Sequence, residues 1–222
     1  MSKFKTPVGT LSYVYVSGQG SAKYGKDKSS TNPLDFEFKA SMKVDKTTAN
    51  KIQATINAFW KDNKPAKVAK PTTTFLKAEM IDGNEKDEYG EAVKVESGMY
   101  LVNASTNAAF ADRANPGQTK PANIALLNSK GVKFPESHPL SKGTVGVGEG
   151  SKGIIHGTLA ITEYEGKAYV KFYLAGVQFS KFVAYEGNSL DADEIDSEED
   201  DGCGIETDGC DVENIAEPEV KL

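Results

Sequence analysis

The stretch from Gly150 to Phe182 constrains the fold more than any other part of the chain. It reads GSKGIIHGTLAITEYEGKAYVKFYLAGVQFSKF, two alternating runs joined at Glu165-Gly166-Lys167, where charged residues and glycine suit a tight hairpin turn. Side chains alternate along a strand, so in the second run Val170, Phe172 and Leu174 can enter a core while Tyr169, Lys171 and Tyr173 point the other way. Two rings then flank one ammonium on the non-core face. Single-stranded nucleic acid asks for this combination, because rings stack on any base and cations follow the phosphates. The competing reading is an amphipathic strand with ordinary surface tyrosines.

Charge is the second constraint. The net charge of -6 over 222 residues hides a segregation of sign. From Asp191 to Leu222 there are 14 acids against Lys221, a net of -13, whereas the first 190 residues hold 18 acids and 25 bases, a net of +7. The chain therefore divides into a basic body, 1–190, and an acidic tail, 191–222. With 38% hydrophobic residues the chain can build a core. The tail has few large apolar groups and dense like charge, so it is expected to be disordered. It can serve solubility alone, or fold back over a cationic face until nucleic acid displaces it.

The tail also holds both cysteines, Cys203 and Cys210, each in an Asp-Gly-Cys triplet. Two thiols without a nearby histidine make a poor zinc site, and a calcium loop beginning at Asp191 fails at Ile195 and Asp196. No metal or cofactor is expected. The absence of a long apolar run and the Met-Ser-Lys-Phe-Lys start predict neither a membrane span nor a secretory signal, hence a cytoplasmic protein.

Along the body, LSYVYV within Thr10–Val16 alternates, with Leu11, Tyr13 and Tyr15 on one face and Ser12, Val14 and Val16 on the other. Which of these faces is core cannot be read from this strand alone. Gly18–Pro33 is a long Gly/Ser-rich loop in which Lys23, Lys26 and Lys28 surround Tyr24, a set suited to phosphates and a base, or to a solvated connector. Leu34–Val44 is the clearest strand: Leu34, Phe36, Phe38, Ala40, Met42 and Val44 share a face, and Lys39 and Lys43 lie on the other. A helix is predicted over Thr48–Asp62, capped by Thr47 or Thr48, with Ile52, Ile56, Phe59 and Trp60 as its apolar stripe. Trp60 is read as core.

Asn63–Thr74 reads as a basic connector, with Lys64, Lys67 and Lys70 continued by Lys77 beyond it. Asp82–Glu91 reads as an acidic turn that repels nucleic acid. Val93–Val102 is a strand with Val93, Val95, Met99 and Leu101 against Lys94, Glu96, Tyr100 and Val102, so Lys94 and Tyr100 repeat the pairing of ring and cation. Asn103–Pro121, which carries the only arginine, Arg113, reads as a surface loop, and Ile124–Leu127 as a short buried strand before an Asn128–Gly131 turn. The glycine-rich Gly143–Gly153 lacks the Gly-Lys-Ser/Thr ending of a phosphate loop and no helix follows it. His138 and His156 have no spaced metal partner or nucleophile motif, so no catalytic set is expected.

The order of parts resembles the phage-encoded single-stranded DNA-binding proteins of the short-tailed coliphage type. The residues that carry the resemblance are TPVGTLSYVYV, DFEFKASMKVD followed by a helix, NIALLNSKG, and GEGSKGIIHGTLAITEYEGKAYVKFYLAGVQF. It implies a mainly β chain: an OB-fold, a five-stranded antiparallel barrel with one capping helix, followed by the acidic tail. It further implies sequence-tolerant binding of single-stranded DNA in replication, recombination and repair, in the host cytoplasm. The implied partners are DNA polymerase and helicase-primase, met through the tail, and a second copy in a homodimer. Tails of this kind commonly end in an aromatic residue, where this chain has Glu219-Val220-Lys221-Leu222.

OB barrels bind along their second and third strands and through flanking loops. The candidate DNA-binding residues are thus Lys23, Tyr24, Lys26, Lys28, Lys39, Lys43, Lys94, Tyr100, Lys152, Tyr169, Lys171 and Tyr173. A reading from another class, a structural or virion-associated β-protein whose tail only keeps it soluble, uses the same strands without a ligand.

Overall fold

The computed structural model describes residues 2–185. Its strands are β1 (Ser2–Lys5), β2 (Gly9–Tyr15), β3 (Ser21–Ala22), β4 (Phe36–Val44), β5 (Leu76–Lys86), β6 (Ala92–Asn107) and β7 (Ala109–Ala111). They continue with β8 (Thr119–Pro121), β9 (Ala125–Leu127), β10 (Gly146–Val147), β11 (Lys152–Tyr164), β12 (Lys167–Lys181) and β13 (Ala184–Tyr185). Helix α1 (Lys46–Asn63) follows β4, and a single turn, α2 (Pro139–Lys142), precedes β10. The expected tail, its cysteines and the boundary at 190 lie outside the described residues.

The hairpin forms as its sequence dictates. Glu165 and Gly166 both take positive φ, +49° and +73°, which gives the two-residue turn whose twist matches the strands it joins. β11 and β12 pair antiparallel over most of their length, from Tyr164 opposite Lys167 to Gly153 opposite Phe179. Val170, Phe172 and Leu174 are buried while Lys171 and Tyr173 are exposed, as alternation requires.

A ring closes through five strands. β2 pairs β4, β4 pairs β6, β6 pairs β12, β12 pairs β11, and β11 returns to β2. This is the mainly β OB barrel, with one refinement: the β6–β12 seam is parallel and is registered at a single pair, Ser105 with Tyr173. Beside that pair the two strands diverge, and the segment leading into β5 is wedged between them. Thr72 N–H donates to Ala168 O and Val170 N–H to Thr73 O on one side, while Asn103 N–H donates to Phe75 O on the other. Phe75 fills the gap from within, packed against Phe4 and Phe172 at ring-centre separations of 5.6 and 5.3 Å.

β4 buries Phe36, Phe38, Ala40, Met42 and Val44, whereas Leu34 sits before it in a 3-10 turn started by Pro33. The helix begins earlier than its threonines suggest. Asp45 caps it by accepting from Thr48 N–H at 2.6 Å, because a carboxylate satisfies a free helix N–H that would otherwise have no partner. Its stripe Ile52, Ile56, Phe59 and Trp60 is buried against the barrel core, and the Trp60 indole donates to Ala69 O at 3.2 Å. Each large apolar side chain so covered contributes roughly 1.5–3 kcal/mol.

In four places the structure departs from the sequence pattern. In β2 and the residue after it, Leu11, Val14 and Val16 are buried while Tyr13 and Tyr15 face out. A register shift between Ser12 and Tyr15, with Tyr13 at φ +49°, inserts an extra residue and moves Leu11 away from the tyrosine face. Asp82–Glu91 is only partly a turn: β5 runs to Lys86, and the turn proper spans Asp87–Gly90. β6 continues to Asn107, so Asn103–Asn107 is strand and not loop, with Val102 and Ala104 as its core residues. Val93, Val95 and Met99, expected inside, are exposed, because β4 ends at Val44 opposite Tyr100 and nothing but β5 pairs with β6 beyond it. The outer parts of β5 and β6 therefore form a projecting two-stranded arm.

Candidate nucleic-acid interface

The outer face of the barrel gathers side chains in three cross-strand rows. In the first, Tyr15 is registered with Lys39, Lys39 with Ser105, and Ser105 with Tyr173. In the second, Ser12 is opposite Ser41 and Ser41 opposite Asn103. The third runs from Lys152 to Thr10, Lys43, Leu101 and Lys77. Rows of this kind follow from the pleat: residues two apart on each strand share a face, and register aligns them across strands.

The first row ends in rings. Lys39 Nζ lies 5.1 Å from the centre of the Tyr15 ring, a cation held over an aromatic face while both remain reachable from solvent. At the other end Tyr173 is exposed on β12, next to Lys171 and the half-buried Tyr169. Tyr169, Lys171, Lys77, Asn103 and Ser105 line a cleft of about 180 Å³ where the β6–β12 seam splays apart, floored by Phe75 and Phe172. The middle row supplies polar groups: Ser41 Oγ donates to Asn103 Oδ1 at 2.6 Å and so fixes the amide in the groove. Cations and rings thus flank a hydroxyl- and amide-lined strip.

Other candidate residues are differently engaged. Lys43 Nζ lies 2.5 Å from Glu79 Oε1, and Ser97 Oγ donates to Glu79 Oε2 at 2.8 Å. The Lys43 and Ser97 hydrogen bonds hold the Glu79 carboxyl below its ordinary value. The Glu79 hydrogen bond, helped by Tyr13 and Glu149 nearby, raises the Lys43 ammonium above the ordinary lysine value, against partial burial. Lys43 is therefore on the face but already neutralised. Lys94 pairs with Asp82 on the arm, away from the rows. Tyr100 packs against the core from the opposite face of β6 to Asn103 and Ser105, so it does not join the outer rings; its even position puts it with Val102 and Ala104.

The loop after β2 is fixed rather than structureless. β3 pairs with Phe36 and Glu37, Lys23 Nζ donates to Leu34 O at 2.6 Å, and Lys26 lies 3.3 Å from Asp35 Oδ1. Tyr24 is fully exposed at its tip and Lys28 is exposed beside it. Lys152 stands at the start of β11 opposite Thr10, one strand from Lys43.

The structure thus brings together Lys39, Lys152, Tyr169, Lys171 and Tyr173 on one outer face with Tyr15, whose face the sequence left open, and adds Ser41, Lys77, Asn103 and Ser105, none of which stood among the sequence candidates. Asn103 and Ser105 were legible in principle. The alternation of β6 runs on past Val102 with Ala104 inside, and the small polar residues between them hid it.

This fold is shared with a solved structure of a phage single-stranded DNA-binding protein. The single-stranded DNA-binding protein from bacteriophage Enc34, solved in complex with ssDNA, matches over 84% of this chain and 90% of its own, with a TM-score of 0.51 and 15% sequence identity. The crystal structure of gp2.5, a single-stranded DNA-binding protein encoded by bacteriophage T7, matches over 86% of this chain and 97% of its own, with a TM-score of 0.48 and 18% identity. No family model and no curated protein sequence matches the chain.

Proposed function

We propose that this chain binds single-stranded DNA without sequence preference during phage DNA replication, recombination and repair. One observation carries the reading. The row Tyr15, Lys39, Ser105, Tyr173 sets a ring at each end of a cationic, polar strip on the outer face of an OB barrel, where this fold presents its ligand surface. Stacking on Tyr15 and Tyr173 contributes about 1–3 kcal/mol per base and is blind to base identity. Lys39, Lys77, Lys152 and Lys171 follow the phosphates. The chain acts by binding and not by catalysis, in the host cytoplasm.

In this reading the body, 1–190, holds the groove, and the acidic segment 191–222 competes for it and recruits replication proteins such as polymerase and helicase-primase. A second copy completes a homodimer. The test is a salt titration on labelled oligothymidine. Four or five phosphate contacts give an affinity that falls with log salt at a slope of about -3, at roughly 0.7 per phosphate. Absence of binding at low salt would leave the chain a structural β-protein. Loss of intact strand on incubation with magnesium would make it an enzyme of nucleic acid instead.

A further inference from the structure

Beside the third row lies a second cleft, of about 330 Å³, lined by Thr10, Ser12, Tyr13, Lys43, Gly148 and Glu149 among others. That volume is at the small end of the range for small-molecule sites, about 300–1,000 Å³. Three features mark it as built. First, Tyr13 at its wall is held at φ +49°, a left-handed conformation that is strained for a non-glycine residue. Strain of this kind persists only where the surroundings impose it, and it clusters at binding sites.

Second, the loop carrying Glu149 is pinned on every side. Gly148 N–H donates to Val183 O at 2.8 Å, Ser151 N–H to Gly148 O at 3.3 Å, and Leu11 N–H to Ser151 O at 2.9 Å. The fully buried Ser151 accepts from Val183 N–H through its Oγ at 3.0 Å. A Cβ on Gly148 would crowd the neighbouring strand, lying 3.0 Å from Ala184 O and 3.2 Å from Val183 O. Third, the charge is wrong for phosphate. Lys43 and Glu149 both line the cleft, and the Lys43 ammonium is already paired with Glu79 beside it, so no free cation is left there for a phosphate.

A cleft with an aromatic wall, one carboxylate on a pinned loop and one ammonium suits a flat, neutral, donor-rich ring. Guanine alone of the four bases presents two adjacent donors on its pairing edge, N1–H and the N2 amine, with the O6 acceptor next to them. A carboxylate accepts two parallel bonds from such an edge, a lysine donates to O6, and a tyrosine stacks on the ring. We propose that this cleft is a subsite for a single guanine: Glu149 accepts from N1–H and N2–H, Lys43 donates to O6, and Tyr13 stacks. This rests on the reading of the barrel face as a single-stranded DNA path, and adds one base-reading position to an otherwise tolerant groove.

The test measures anisotropy of the full chain with three labelled oligonucleotides: oligothymidine, the same strand with one central guanine, and the same with inosine, which lacks the N2 amine. The guanine strand should bind about fivefold to tenfold tighter than oligothymidine, as expected for a charge-assisted bond pair, and inosine should lose most of that gain. In Glu149→Gln the ratio of guanine to thymidine affinity should fall to about one, whatever happens to both affinities. Equal affinity of the unaltered protein for guanine and thymidine strands overturns the subsite and leaves the DNA-binding reading standing. A guanine preference that survives Glu149→Gln assigns it elsewhere on the surface and likewise overturns it. Failure to bind any of the three strands overturns the DNA-binding reading itself.

Discussion

At the scale of single residues, the Lys43–Glu79 pair couples the outer face to stability. Glu79 titrates below its ordinary 4.5 and Lys43 above its ordinary 10.5 in the folded chain. A depressed carboxyl stabilises above its unfolded value and loses that contribution as pH falls through the folded one; a raised ammonium stabilises below its unfolded value and loses it as pH rises through the folded one. The pair's contribution is therefore flat between the two ordinary values and fades outside them. The stability gap between the unaltered chain and Glu79→Gln, from chemical denaturation, should shrink below about pH 4.5. A gap that widens there would show that the pair does not stabilise. Glu165 gives a second residue-scale prediction. A glutamate at φ +49° is strained where asparagine is at ease, so Glu165→Asn should raise the denaturation midpoint by about 1 kcal/mol of stability with unchanged slope.

At the scale of elements, β11 and β12 depend on one close approach. A Cβ on Gly157 would lie 2.0 Å from Tyr173 O and 2.7 Å from Phe172 Cε2, and the strand register shifts there. Gly157→Ala should cost several kcal/mol and show as loss of folded protein in circular dichroism, because neither backbone nor packed ring can give way. On the outer face, Tyr173→Ala should weaken single-strand binding by about 1–3 kcal/mol with little change in salt slope, and Lys171→Ala should shallow the slope by about 0.7. The reverse pattern would exchange the roles of ring and cation.

These elements were unequally legible. β4, the hairpin and the α1 stripe follow directly from periodicity, because one face of each is core. The bulge at Tyr13 does not: one inserted residue reverses every face beyond it, and no turn residue announces it. The arm misled for a related reason. Val93, Val95 and Met99 alternate like core residues, yet whether a third layer covers them is decided by where β4 stops. Lys43 was legible as a cation, but not its partner, since Glu79 is 36 residues away on a strand that the sequence reading missed.

At the scale of the molecule, charge is arranged by region. From Asp82 to Glu96 the arm carries six acids against Lys86 and Lys94, while the body to residue 190 remains at +7 overall. Cations are thereby concentrated on the barrel. Removal of residues 191–222 shifts the net charge from -6 to +7 and, if that segment competes for the groove, should tighten binding to oligothymidine and steepen its salt dependence. Unchanged affinity would end the competition model.

The parallel seam makes the barrel a clasp more than a hoop. Its two sides, β2-β4-β6 and β11-β12, are latched where Ser105 meets Tyr173, and both residues belong to the row on which a strand would lie. Anything that stacks on Tyr15 and Tyr173 at once must straddle this latch and hold it shut. Amide hydrogen exchange at Ser105 and Tyr173 should then slow on oligonucleotide addition more than exchange in the middle of β11, so that the ligand works as a rivet across the single-pair join of its own receptor.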